Sequence, residues 1–145
     1  MDNYYCTAER IYEDVDLLFR EKRYFNTCYL GGYVLECYAK LVLNQIFGVT
    51  MIELKKFSHR IDDINKELLQ YISISTTGGS APGTYLFDLK AKCPTVCTSS
   101  EKWNPNNRYD DGTGLWGAAV AQSYYHEMTE LILLLVQMKI DGVIK

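Results

Sequence analysis

The segment from residue 23 to residue 47 is apolar around almost its whole circumference, and it constrains the fold more than any other part of the chain. Glu36, Lys40 and Asn44 interrupt it at intervals of four, a spacing that an α-helix places on one stripe. Such a helix is buried on its apolar sides, while its polar stripe faces a groove, a partner or water. The sequence therefore predicts a central helix over about 24–47, in which Gly31-Gly32 permits the close approach of another helix or of a ligand.

Helical periodicity recurs in three further segments. Apolar residues at helical spacing predict one helix over residues 7–22, with Thr7 as its N-cap. Gly48 is expected to end the central helix, and Ser58 to act as the N-cap of the next one. A last helix is predicted over about 114–140. Together these segments predict an all-α fold, an up-and-down bundle of four to five helices with almost no sheet.

The stretch between residues 73 and 116 lacks a clear period. Residues 76–83, TTGGSAPG, predict a turn, and residues 84–92 predict a short helix. Beyond them, Trp103 stands among turn-forming residues and indicates an ordered loop. A length of 145 residues suits one hydrophobic core. We therefore predict a single domain over residues 1–145, with a long, partly irregular insertion at about 73–116.

Charge and hydropathy narrow the class of protein. A net charge of -3 and a pI near 5.4 argue against strong non-specific binding to nucleic acid. Acidic residues near the start leave no apolar signal core, and the apolar run Leu131–Val136 is too short to cross a bilayer. We expect a cytoplasmic protein with no membrane partner and with reduced cysteines. Cys93 and Cys97 lack a second ligand pair, so neither a metal nor another cofactor is expected.

Four short motifs follow one another along the chain. They are Arg23-Tyr24, then Gly32-Tyr33-Val34-Leu35-Glu36 leading to Lys40-Leu41, then His59 ahead of Ile61 and Ile64, and finally Trp103-Asn104-Pro105 ahead of Arg108-Tyr109. In this combination the chain resembles the HEPN family, the small helical domains of prokaryotic toxins, antitoxin partners and nucleotidyltransferase-associated proteins. The resemblance spans roughly residues 5–140 and implies an up-and-down helical bundle that is commonly dimeric.

The resemblance also bears on activity. Ribonuclease members of the family carry an arginine followed four to six residues later by a histidine. Arg108 is followed at those positions by Gly112, Thr113 and Gly114, so the histidine is missing. We therefore predict a non-catalytic domain that binds a nucleotide, RNA or a protein partner, in a toxin–antitoxin or nucleotidyltransferase setting. One alternative is a divergent metal-independent endoribonuclease toxin that uses Arg108 and His126; another is a structural partner of a nucleotidyltransferase.

Five residues are candidates for ligand binding, and each has a structural alternative. They are Glu36, Lys40, His59, Arg108 and Tyr109. Glu36 and Lys40 either pair with each other along the helix or build a polar site with the last helix. His59 is either a general base or a structural histidine that fixes its loop. Arg108, beside Tyr109, either holds phosphate or makes a salt bridge to Asp110, Asp111 or Glu36.

The last helix carries more apolar surface than one core can cover. The consecutive apolar residues Leu131–Val136 point in all directions around a helix of 3.6 residues per turn. The surplus is expected to be covered either by the 73–116 segment or by a second copy of the chain. We predict a homodimer with a largely apolar interface, in which Gln122 and His126 lie near the seam.

Overall fold

Helices make up the whole framework of the computed structural model, which describes residues 3–76 and 83–145. In chain order the α-helices are α1 Tyr4–Arg20, α2 Tyr24–Gln45, α3 Met51–Lys56, α4 Ile61–Thr76, α5 Leu89–Lys92, α6 Pro94–Thr98 and α7 Ala118–Ile140, with a 3-10 helix at Pro105–Tyr109 before the last. No strand occurs within the two described ranges. The predicted all-α helical bundle is confirmed, and four of its helices are long. None of the helices in these ranges is long and apolar enough to cross a membrane.

Helix α2 lies at the centre of the bundle and packs against α1, α4 and α7. Every residue from Val34 to Leu43 is buried, including Glu36 and Lys40. Full burial of one aliphatic side chain stabilises a fold by about 1.5–3 kcal/mol, so this run contributes a large part of the hydrophobic core. The central helix predicted from the apolar segment is therefore observed, with its polar residues inside the protein.

The first and last helices begin at other residues than predicted. Helix α1 begins at Tyr4, because the side chain of Asn3 accepts a hydrogen bond from the backbone N–H of Cys6 at 3.1 Å and caps the helix in place of Thr7. Helix α7 begins at Ala118 and not at 114. The preceding residues Gly114 and Trp116 both have positive φ, which an α-helix does not contain.

The connection between α2 and α4 also differs from the prediction. Gly48 ends α2 as expected, with φ +73 and an N–H that donates to the carbonyl of Asn44 at 3.1 Å. The short α3 follows and begins with a capping box between Thr50 and Glu53. It was not predicted, because a helix of this length is too short to show a periodic pattern of apolar residues. Ser58 is not the N-cap of α4: it lies in a left-handed turn with φ +50, and α4 begins at Ile61.

The segment between residues 73 and 116 is more regular than expected. Helix α4 continues to Thr76, and α5 corresponds to the predicted short helix. Helix α6 and the 3-10 helix form where an irregular loop was predicted. Residues 77–82, which make up most of the predicted turn, lie outside the described residues.

Trp103 anchors this segment against α2. Its indole N–H donates to the backbone carbonyl of Tyr29 at 2.9 Å, and the side chain is buried. A Cβ atom at Gly32 would lie 2.1 Å from the indole ring, whereas one at Gly31 would meet Met128 of α7 at an ordinary 3.5 Å. The two adjacent glycines thus have different neighbours. Only position 32 requires glycine, because the indole ring of Trp103 leaves no room there for a Cβ atom.

We predict that Gly32→Ala destabilises the protein and displaces Trp103, because no Cβ fits beside the indole ring. Overpacking of this kind costs about 1–3 kcal/mol in the free energy of unfolding. Chemical denaturation followed by tryptophan fluorescence measures both effects. The control is Gly31→Ala on the same helix, where better helix propensity adds up to about 1 kcal/mol and no clash opposes it. Equal stability of the two variants would contradict the packing described above.

Candidate functional site

A buried ion pair on α2 forms the base of the candidate site. The Nζ atom of Lys40 lies 2.7 Å from Oε1 of Glu36, one helical turn away, and both side chains are almost fully buried. The predicted pairing along the helix is confirmed. Lys40 also donates a hydrogen bond to the backbone carbonyl of Ser58 at 2.6 Å. The ammonium group therefore neutralises Glu36 and at the same time holds the turn before α4 against α2.

His59 is held by the second oxygen of the same carboxylate. Its Nδ1 atom lies 2.8 Å from Oε2 of Glu36, and the ring of Tyr33 meets the imidazole edge-on with 5.3 Å between centroids. A carboxylate only accepts hydrogen bonds, so Nδ1 carries the proton of this contact. The histidine side chain is 49% exposed. The polar site is thus built by α2 and the turn before α4, and not by α2 and the last helix.

A cavity of about 560 Å³ opens beside His59. It lies between the start of α4, helix α6 and the 3-10 helix, and its size falls within the range of about 300–1,000 Å³ usual for small-molecule sites. The lining combines four chemical types of side chain. They are the aromatic and apolar Tyr33, Val96, Cys97, Trp103 and Pro105, the amides Asn104 and Asn106, the cations Arg60, Lys102 and Arg108, and the carboxylates Asp62 and Asp63.

In the described part of the chain, the carboxylates around this cavity have ion-pair partners, whereas two of its cations do not. Asp63 pairs with Arg60 at 2.6 Å, and Asp62 pairs with Lys90 at 3.3 Å. Lys102 and Arg108 make no ion pair with any described residue. The cavity therefore presents two uncompensated cations beside His59, an arrangement that favours an anionic ligand.

Arg108 does not form the salt bridge that was the alternative to ligand binding. The carboxylates of Asp110 and Asp111 instead accept backbone hydrogen bonds from Gly112 and Thr113, each at 2.9 Å. The guanidinium group lies 4.7 Å from the ring centroid of the exposed Tyr109. Tyr109 is thus a neighbour of Arg108 but does not line the cavity.

The phenol of Tyr33 stays neutral inside the cavity. Burial raises the pKa of Tyr33, and the hydrogen bond with Tyr29 raises that pKa further. The positive charge of Arg108 acts in the opposite direction on the same pKa. Cys97 behaves similarly, because burial raises the pKa of its thiol to about 12 and keeps it protonated at neutral pH.

His126 lies elsewhere on the surface. It lines a separate hollow between α5, α6 and α7, is 74% exposed, and has its Nε2 atom 3.4 Å from Glu130. Arg108 lines the cavity beside His59 and does not line this hollow. The arrangement of one chain therefore does not bring together Arg108 and His126, the two candidate catalytic residues.

Two polar residues were missed by sequence reasoning. Lys102 lines the main cavity, but a single lysine in a loop gives no signal of its own. Glu127 is buried on α7, and its Oε1 accepts a hydrogen bond from the backbone N–H of Thr95 at 2.7 Å, which caps the start of α6. Burial raises the pKa of Glu127. The inward position of Glu127 depends on the packing of α7 against α6, which no local sequence pattern encodes.

The chemistry open to the site follows from these contacts. With Nδ1 bound to a carboxylate, the neutral ring of His59 has its lone pair on Nε2, and this atom has no hydrogen-bond partner among the described residues. It can accept a proton or bond to an electrophile, while Lys102 and Arg108 hold anionic oxygens. No cluster of three or more metal-ligating side chains occurs in the described ranges.

Comparisons with known proteins add nothing to this geometry. No family model matches the chain, and neither curated proteins nor solved structures show a significant similarity to it.

We predict that Lys40→Met lowers the free energy of unfolding by about 3–5 kcal/mol, because it leaves the buried Glu36 carboxylate without its main counter-charge. The matched control is Arg20→Met, which removes an exposed pair to Asp16 of the same spacing and nearly the same distance, 2.6 Å. Exposed pairs contribute at most about 1 kcal/mol. Urea denaturation measures both variants, and equal losses would show that burial does not distinguish the two pairs.

Proposed function

We propose that this protein is a nucleotide-binding domain that holds the phosphate of its ligand in the cavity beside His59. The observation that carries the proposal is the presence of two unpaired cations, Lys102 and Arg108, in one cavity with a carboxylate-held histidine. A nucleotide phosphate supplies the negative charge that these side chains lack. Arginine suits this role because its planar guanidinium donates two parallel hydrogen bonds to phosphate oxygens.

Neutral groups of the cavity fit the rest of such a ligand. The side-chain oxygen of Asn104 accepts a hydrogen bond from the backbone N–H of Asn106 at 2.9 Å, so its amide N–H groups remain available as donors. Tyr33 and Pro105 contribute apolar surface to the wall. Amide donors beside aromatic surface are the combination by which proteins bind the sugar and base of a nucleotide.

The overall charge favours a free nucleotide over a long nucleic acid. Binding to a polynucleotide gains much of its affinity from many phosphate contacts along a basic surface. This chain has a net charge of -3, and its unpaired cations Lys102 and Arg108 line one and the same cavity. A compact ligand with one phosphate group or a short phosphate chain satisfies that arrangement.

We predict that purified protein binds AMP or ATP in isothermal titration calorimetry, and that Arg108→Met and Lys102→Met each weaken binding. A hydrogen bond to a charged group contributes about 1.5–3 kcal/mol, so each loss should exceed about tenfold in affinity. Arg20→Met is the charge-matched control, since Arg20 is exposed on α1 and outside the cavity.

The control variant should bind as the unchanged protein does. Absence of binding to either nucleotide by the unchanged protein at millimolar ligand would refute the proposal. Equal weakening by Arg20→Met would point to the general charge of the protein and would also refute the proposed site.

We also propose that two copies of the chain associate through the exposed side of α7. Leu133 is 63% exposed and Ile140 is 72% exposed. Together with the exposed His126 they follow one another at heptad intervals, a spacing that places all three on one side of the helix. Leu131 and Leu135 of the same run are buried in the core. A two-fold contact would bring the exposed stripe of one copy against the same stripe of the other.

We expect light scattering to give a particle of twice the chain mass of 16.7 kDa at high micromolar concentration. Leu133→Lys should shift the mass toward the single chain, because it places a charge in the apolar seam. Leu17→Lys is the control, since Leu17 is exposed on α1 and outside that stripe. A single-chain mass for the unchanged protein would contradict self-association.

A further inference from the structure

We propose that the Nε2 atom of His59 accepts a phosphoryl group, so that the cavity is a site of phosphohistidine formation. The inference rests on the proposed nucleotide site, because the same two cations would hold the oxygens of the transferred group. It goes beyond binding in naming the reaction class, phosphoryl transfer from an activated donor, and the atom that receives the group.

The contact with Glu36 prepares His59 to act as a nucleophile. In the neutral imidazole, the hydrogen bond of 2.8 Å places the proton on Nδ1 and leaves the lone pair on Nε2. A carboxylate behind an imidazole also stabilises the positive charge that the ring acquires when its other nitrogen forms a bond. Glu36 is itself held by Lys40 at 2.7 Å, so its position is fixed inside the bundle.

Access and electrostatics agree with this role. The histidine is half exposed and lines the cavity, so a small phosphorylated compound can reach Nε2. Lys102 and Arg108 line the same cavity without carboxylate partners. They can neutralise the equatorial oxygens of a phosphoryl group in transfer, which is the main demand that this reaction places on a protein.

The remaining groups of the cavity favour transfer to His59 over a reaction that needs a second proton carrier. Asp62 and Asp63 are occupied in ion pairs with Lys90 and Arg60. Burial raises the pKa values of Tyr33 and Cys97, so neither exchanges a proton readily at neutral pH. An acyl phosphate or a phosphoanhydride has a leaving group that departs as an anion and requires no acid.

The step balances without a further reactant. The Nε2 lone pair attacks phosphorus, the bond between phosphorus and the leaving oxygen breaks, and the leaving group keeps that electron pair. The ring becomes an N-phosphorylated imidazolium that retains its Nδ1 proton against Glu36. Loss of the phosphoryl group to water or to a second acceptor would restore the neutral imidazole.

The experiment uses acetyl phosphate as the donor and the full chain as the acceptor. The chain has 2 histidines, His59 and His126, so each one serves as a control for the other. Intact mass and peptide mapping at alkaline pH, where phosphohistidine survives, give the rate of labelling at each. Exposure alone would favour His126, which is 74% exposed against 49% for His59. The carboxylate of Glu130 lies 3.4 Å from Nε2 of His126, whereas the carboxylate of Glu36 binds His59 through Nδ1 and leaves Nε2 free. We expect His59 to be labelled faster by about tenfold, because a carboxylate on Nδ1 activates the opposite nitrogen as a nucleophile.

Variants separate activation from exposure. His59→Ala should abolish the fast labelling, His126→Ala should leave it unchanged, and Glu36→Gln should slow it by about tenfold. The ratio of the two sites in the unchanged protein is informative even where Glu36→Gln fails to fold. Labelling of His59 no faster than that of His126 would overturn the inference.

Nucleotide titration of the same sample distinguishes this inference from the proposed function. Binding of AMP or ATP without preferential labelling of His59 would overturn phosphoryl acceptance and leave the nucleotide site in place. Preferential labelling without nucleotide binding would support the acceptor role and refute the nucleotide as the ligand.

Discussion

The buried ion pair between Glu36 and Lys40 is the constraint on which the candidate site depends. Two charges inside an apolar, central helix must be satisfied by groups brought to them, because an unpaired buried charge costs several kcal/mol. Lys40 donates a hydrogen bond to the carbonyl of Ser58, and Glu36 accepts one from Nδ1 of His59. These contacts hold the turn at Ser58, where φ is positive, directly ahead of the start of α4 at Ile61.

Another part of the cavity wall depends on a steric constraint. Gly32 lacks the Cβ atom that would displace Trp103, and the indole in turn donates to the carbonyl of Tyr29. The ring of Tyr33 forms T-shaped contacts with both Trp103 and His59. One glycine on α2 thus fixes the segment that carries Lys102 and Arg108, and one ion pair on the same helix fixes the histidine that they accompany.

The sequence predicted those features that are encoded by neighbouring residues. Helix α2, the spacing of Glu36 and Lys40 and the turn at Gly48 all follow from local pattern, and each is observed. The contact between His59 and Glu36 spans the chain from one helix to a distant turn, and no periodicity encodes it. The same reason explains the error at Ser58: its hydroxyl suggested a local cap, whereas a side chain from another helix decides the conformation of the turn.

Stability alone does not account for a buried ion pair in this position. Apolar residues of similar volume in place of such a pair often leave stability unchanged or raise it. Neighbouring positions of α2 are already occupied by Leu35, Ala39 and Leu41, so an apolar pair would suit the packing. What apolar residues cannot do is orient an imidazole, because they offer no acceptor to Nδ1 of His59. The position of the pair therefore favours a chemical role for the histidine, with the rigid helix as the support that holds its carboxylate in place.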